Sequence, residues 1–259
     1  MGETMENSFD INIDCGESLG NWIMGADEEL MPLITTANVA CGFHAGDPIT
    51  MQRTVKLAKE NNVAVGAHPG LPDLIGFGRR TMSLTPAEVY AMTVFQVGSL
   101  KAMLECENMT LHHIKPHGAL YSMLSKDTSL GEAFCQATID ISPKPMIYYP
   151  APVEQHAVTR VASKMGIHVV GELYFDLSYA DDGSLILKRA NEGADLVDTK
   201  NRLANFFETG VVVAESGVGV PLEAQSICLH GDGPNAVDLA KTIGQGLRDA
   251  GYNLSPLNI

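Results

Sequence analysis

Carboxylates, imidazoles and a lysine recur in this sequence just after short apolar runs. Those side chains suffice for proton transfer and for holding charge that develops at a carbonyl. Asp14 and Glu17 follow the run that begins at Phe9, with Asn12 beside them. His44 closes the segment Asn38–His44, and His68 stands in Gly66–Gly70. Lys115 and His117 share the stretch His113–Gly118, and His230 and Asp232 end the run that begins at Ser226. Glu172 and Asp176 follow another such run. A single histidine after a strand is more often a turn residue than a catalyst, and Asp47 reads as a helix cap. The repetition is what points to function, because each polar group set at a strand mouth costs stability unless it is hydrogen-bonded. His112 and His113 are assigned no role, and His156 and His168 read as structural. The loop Gly66–Arg80 (GAHPGLPDLIGFGRR) ends in Arg79 and Arg80. In so acidic a chain that pair suggests an anion site on a glycine-rich segment able to close over a substrate.

The positioning elements alternate. Strands are expected at Phe9–Asp14, Ile34–Cys41, Val63–Ala67, Leu111–Lys115, Pro145–Tyr149, His168–Glu172 and Ser226–Leu229, with a short one at Val211–Val213. Helices are expected from Pro48 to Glu60, from Pro86 to about Glu105, over Ala119–Asp140, near Val153–Met165, and at Asp198–Thr209 and Asn235–Ala250. Asp47-Pro48 and the box Thr85-Pro86-Ala87-Glu88 mark two helix starts. Strand and helix in strict alternation indicate a parallel α/β sheet, and about seven such units fit an irregular barrel better than an open sheet. All strand C-termini of such a barrel open on one face, so residues distant in sequence converge there. No linker or low-complexity tract divides the chain, and one domain over 1–259 is expected.

Composition excludes several functions. Seventeen basic against 31 acidic residues leave a formal charge of −14, which disfavours nucleic acid and anionic membranes as partners. The five cysteines are scattered and form no CxxC pair, so neither a disulfide framework nor a zinc ribbon is indicated. Met1–Phe9 lacks a basic region leading into an apolar run, so a cytoplasmic location is expected. There is no G-x-x-x-x-G-K-[ST] phosphate loop, no strand-borne G-x-G-x-x-G and no G-x-S-x-G elbow.

Five segments carry a resemblance: NIDCGES (Asn12–Ser18), NVACGFHAGDP (Asn38–Pro48), GAHPGLPDLIGFGRR (Gly66–Arg80), HHIKPHGALY (His112–Tyr121) and CLHGD (Cys228–Asp232). Over nearly its whole length the chain resembles the LamB/YcsF family. That resemblance implies an irregular seven-stranded β/α barrel of the glycoside hydrolase/deacetylase type. It also implies ATP-coupled hydrolysis of the lactam 5-oxo-L-proline to L-glutamate, as the A-type subunit working with PxpB- and PxpC-type partners. The chain departs from the family pattern at Leu177, where an arginine is expected, at Tyr149–Val153, which lacks a glycine-containing loop, and at Gly233, which replaces a threonine.

On this reading Asp14 is the general base or water-orienting carboxylate, Lys115 stabilises oxyanion or phosphoryl charge, and His117 joins them as a catalytic residue. Asn12, Glu17, His44, His68, Arg79, Arg80, His230 and Asp232 are the expected substrate contacts, the histidines binding substrate or shuttling protons. ATP is the co-substrate, expected to be held mainly by partner subunits because no phosphate loop is present. On this reading no metal ligand is assigned, and whether a metal is bound is left open. A rival reading is a metal-dependent deacetylase-like hydrolase using Asp14, His44 and His68 as ligands. A second rival is a non-catalytic interaction subunit.

Overall fold

The computed structural model describes residues 7–186, 193–231 and 233–258. The first half of the chain runs β1 (Ser8–Cys15), α1 (Asp27–Leu30), β2 (Thr36–Ala40), α2 (Pro48–Glu60), β3 (Ala64–His68), α3 (Pro86–Cys106), β4 (Leu111–Ile114), α4 (Gly118–Lys126) and α5 (Thr128–Ile141). It continues with β5 (Met146–Pro150), α6 (Ala157–Lys164), β6 (His168–Tyr174), β7 (Ser178–Tyr179), β8 (Leu185–Ile186) and α7 (Leu196–Thr209). The last elements are β9 (Val211–Val213), β10 (Gly219–Pro221), β11 (Ser226–His230), α8 (Ala236–Asp249) and β12 (Asn253–Leu254). Strands β1 to β6 pair in parallel in chain order. β11 pairs with both β6 and β1, closing the expected seven-stranded barrel. β12 adds a short parallel edge to the start of β1.

Local chemistry sets the helix ends. The Asp47 carboxylate accepts from the amides of Ile49 and Thr50, with Pro48 at the first helical position of α2. Thr85 and Glu88 form a reciprocal capping box at α3. The helical stretches expected over Ala119–Asp140 are two helices that part at Asp127. Asp127 leaves the helical conformation and caps α5 through the amides of Ser129 and Leu130. Likewise Val153–Gln155 forms a 3-10 turn, and α6 starts only after His156.

Strand alternation divides β1 into two faces. Ile11 and Ile13 join the apolar layer beneath the helices, where Ile243 and Leu247 of α8 are also buried. Asp10, Asn12 and Asp14 take the opposite face and are buried as well. Barrel interiors are ordinarily filled by branched apolar residues, but this one holds a polar column. Thr35, Thr36 and Ser226 donate to Asp10 at one end. One step up, Asn12 Nδ2 donates to Glu172 Oε1 (2.8 Å) and Ser226 Oγ (2.8 Å), and its Oδ1 accepts from Asn38 Nδ2 (2.7 Å). Burial raises a polar group's cost, and these mutual bonds offset it.

Asp10 gives the fold a pH signature. Burial outweighs its three hydroxyl donors and lifts its carboxyl from 3.8 to about 6. The phenol of Tyr148 lies close enough to feel the same charge. Below about pH 6 the folded state therefore takes up a proton that the unfolded chain does not bind until lower pH. The contribution of Asp10 becomes more favourable as pH falls from 8 towards 4. A difference of about two pH units is worth about 3 kcal/mol. Urea denaturation should show wild type gaining roughly that much on Asp10→Asn across this range. A constant difference would show that Asp10 does not titrate there.

Candidate active site

The C-terminal ends of the strands surround a cavity of about 430 Å³. Asp14, near the end of β1, stands level with Asn38 of β2 and His230 of β11. Its Oδ1 accepts from Asn38 Nδ2 (2.9 Å) and Lys115 Nζ (3.1 Å), while its Oδ2 faces His68 Nε2 (3.3 Å). Lys115, just beyond β4, also reaches Asn12 Oδ1 (3.2 Å), Glu172 Oε1 (3.4 Å) and Cys228 Sγ (2.8 Å). Burial alone would discharge this ammonium, but Asp14, Cys228 and Glu172 outweigh it and hold Lys115 protonated. Burial would likewise neutralise Asp14, yet its neighbours His68 and Lys115 hold its carboxyl well below the usual range. A fixed cation therefore sits between carboxylates at the cavity floor.

Beside it lies a histidine cluster. His68 Nδ1 donates to the Lys115 carbonyl (2.7 Å), and His117 Nε2 donates to the Phe77 carbonyl (2.8 Å). The other nitrogens of these two rings, His68 Nε2 and His117 Nδ1, are 3.0 Å apart. His44 stacks on His117 at a centroid distance of 3.7 Å and turns its Nε2 to Glu17 Oε1 (3.3 Å). Burial pushes His44 well down and His117 down to about 3, so both imidazoles are neutral at physiological pH. The loop after β3 closes onto these rings through Gly78. It has a positive φ of 64°, and a Cβ there would lie 2.6 Å from that of His44.

Across the cavity, His230 Nδ1 is 2.6 Å from Asp176 Oδ2, and the same oxygen accepts the His230 backbone amide (3.2 Å). Burial would lower this imidazole, but Asp176 dominates and raises it to about 9. His230 is thus an oriented imidazolium at the rim. Leu177 also lines the cavity where an arginine is expected. Arg202 of α7 reaches that segment from behind, bonding the carbonyls of Phe175 (3.3 Å) and Leu177 (3.0 Å).

Of the residues singled out from sequence, Asp14, Glu17, His68, Arg79, Lys115, His117 and His230 line the cavity. Asn12 lies one step beneath, supporting Lys115 and Asn38. His44 lies behind His117 rather than on the lining. The arginine pair divides: Arg79 stays at the rim, 5.0 Å from the Phe77 ring, whereas Arg80 forms a bidentate pair with the buried Asp73 and is not on the lining. Asp232 lies outside the described residues. Of the ligands in the rival metal reading, His44 and His68 offer ligand atoms within 4.8 Å of each other and of Glu17 and His117, and Asp14 Oδ2 lies 3.3 Å from His68 Nε2.

Asn38, His113 and Glu172 carry no assigned role in the sequence reading, yet they belong to the polar assembly. His113 Nε2 is 2.6 Å from Asn38 Oδ1, its ring stacks on Tyr148, and the absence of a side chain at Gly66 leaves room for it. This fixes which end of the Asn38 amide faces Asp14. The available signal is parity: His113 stands two residues before Lys115 and shares its inward face.

A closed parallel barrel whose strand ends present a carboxylate, an ammonium and an Asp-oriented imidazolium to one cavity belongs to the class of β/α-barrel enzymes. A profile of the LamB/YcsF family matches residues 9–259. The chain is 44% identical over 254 residues to the A-type subunit of 5-oxoprolinase from Thermococcus onnurineus, covering 96% of this chain and 97% of that protein. The crystal structure of the lactam utilization protein from Thermus thermophilus superposes with a TM-score of 0.89 at 37% identity, over 96% of this chain and all of that one. A GH113 β-1,4-mannanase shares the fold alone, with a TM-score of 0.50 at 10% identity over 93% of this chain and 99% of that one. This chain belongs to the LamB/YcsF family.

Proposed function

We propose that this chain is the A-type subunit of an ATP-dependent 5-oxoprolinase that opens 5-oxo-L-proline to L-glutamate together with PxpB- and PxpC-type subunits. The observation that carries the reading is Lys115 fixed between Asp14 and Glu172 at the floor of a cavity rimmed by His230. The relatedness to the A-type subunit of a 5-oxoprolinase supports it.

A five-membered lactam is a resonance-stabilised amide with a poor leaving nitrogen. Phosphorylation of its carbonyl oxygen by ATP gives a reactive imidate ester. Water then attacks the former carbonyl carbon while Asp14 takes its proton. The electron pair of the C=N bond moves onto the ring nitrogen, and Lys115 stabilises the negative charge of the attached phosphoryl group. The tetrahedral species collapses by breaking the C–N bond, and the His230 imidazolium supplies the proton to the leaving nitrogen. The acyl phosphate left behind takes a second water to give glutamate and phosphate. ATP is assigned mainly to the partner subunits, as the sequence has no phosphate loop. Among the described residues no helix is long and apolar enough to cross a membrane.

The test is glutamate release from 5-oxoproline by the reconstituted subunits, with and without ATP. Release that needs this chain, its partners and ATP is expected; no release, or release without ATP, overturns the reading. Asp176 is a positioning residue here. Asp176→Asn should lower kcat by up to about 10²-fold with little change in KM. It should also move the alkaline limb of the rate profile down, because His230 loses the partner that holds it up at about 9. An unshifted limb would remove His230 from the acid role.

A further inference from the structure

The proton inventory of the histidine cluster does not close. A backbone carbonyl can only accept, so His68 must carry its proton on Nδ1 and His117 on Nε2. In their neutral forms both rings then present bare lone pairs, His68 Nε2 and His117 Nδ1, 3.0 Å apart. The third group at this point, Asp14 Oδ2, 3.3 Å from His68 Nε2, is again an acceptor. His68 Nε2 thus faces two acceptors, His117 Nδ1 and Asp14 Oδ2, with no donor among the three, all on buried residues. One ligand atom from each of Glu17, His44, His68 and His117 also lies within 4.8 Å of the others.

A second proton on His68 would serve either His117 Nδ1 or Asp14 Oδ2, leaving the other facing a donorless neighbour. A single cation among the three satisfies all of them together. The outer N–H groups of both imidazoles bond backbone carbonyls, the arrangement that orients metal-bound histidines and fixes their tautomers. Asp14 and Glu17 set carboxylate oxygens 3.3 Å from imidazole nitrogens of this cluster.

We propose that His68 Nε2, His117 Nδ1 and Asp14 Oδ2 bind one divalent transition-metal ion, with Glu17 in reach as a further ligand. Two imidazole nitrogens with carboxylate oxygen suit zinc, cobalt or nickel rather than magnesium or calcium. Such an ion would face the cavity, where it can lower the pKa of a bound water.

The test uses the full chain alone and reads no turnover, so its outcome is separate from that of the lactam reading. Protein stripped with a chelator is titrated with Zn²⁺ followed by calorimetry, and with Co²⁺ followed by its visible ligand-field bands. One equivalent of each is expected, undisturbed by excess Mg²⁺. His68→Gln and His117→Gln should each abolish binding, while His112→Gln, on the neighbouring but separate ring, should keep it. Thermal unfolding checks that each variant is folded, and if one is not, the other decides. Absence of stoichiometric binding, or binding that survives in a folded His68→Gln or His117→Gln variant, overturns the proposal. So does an imidazole nitrogen NMR spectrum showing His68 doubly protonated in the presence of either metal.

Discussion

Asp14→Asn is expected to reduce ATP-dependent glutamate release by roughly 10²–10⁴-fold, the range a positioned proton acceptor contributes. The substitution is isosteric, and the local bonds accept it. The amide oxygen can still receive Asn38 Nδ2 and Lys115 Nζ, and the new amino group points at His68 Nε2, which accepts. Lys115 keeps Glu172 as a counter-charge. The fold should therefore survive, with cooperative unfolding and an unchanged circular dichroism spectrum. What disappears is the only carboxylate that contacts both Lys115 and His68 among the described residues. Turnover within threefold of wild type in the reconstituted enzyme would remove Asp14 from the base role.

Lys115→Met should act on stability as much as on rate. Lys115 is buried and contacts two carboxylates, an amide oxygen and a thiol. Methionine roughly fills the volume but leaves Asp14 and Glu172 buried without their shared cation. Stranding charges in this way typically costs about 3–5 kcal/mol. Urea denaturation at neutral pH measures it, and a loss under about 1 kcal/mol would mean that the carboxylates are compensated elsewhere. Lys115→Arg should not restore activity, because a planar guanidinium cannot place one compact charge among four partners.

The helix starts at Asp47 and Thr85 are legible in the sequence because capping is a contact between residues two or three apart. Strand positions are legible from short apolar runs, and the closed barrel from their strict alternation with helices. The break at Asp127 is not, because apolar spacing continues across it while the carboxylate caps the next helix. At the site, Asp14, His68, Lys115, His117 and His230 can be found from sequence because a parallel barrel sends every strand end to one rim. The parting of Arg79 from Arg80 cannot, since it depends on the loop folding back to put Asp73 beside the second guanidinium. Nor can the service of His113, whose partner Asn38 is 75 residues away and meets it only once β2, β3 and β4 are laid side by side.

The hydrogen-bonded column inside the barrel has a consequence for how the chain selects its strand alignment. If β1 slid by one residue against its neighbours, Ile11 and Ile13 would swing inward among the amides and carboxylates, and Asp10, Asn12 and Asp14 would be pressed beneath α8. An oily lumen would tolerate many shifted arrangements, since one branched side chain replaces another at small cost. Here a one-residue misalignment would strand charges on the wrong side of the wall. The groups that shape the chemistry at the rim thus also act as a key, admitting one threading of the seven strands and penalising the near misses.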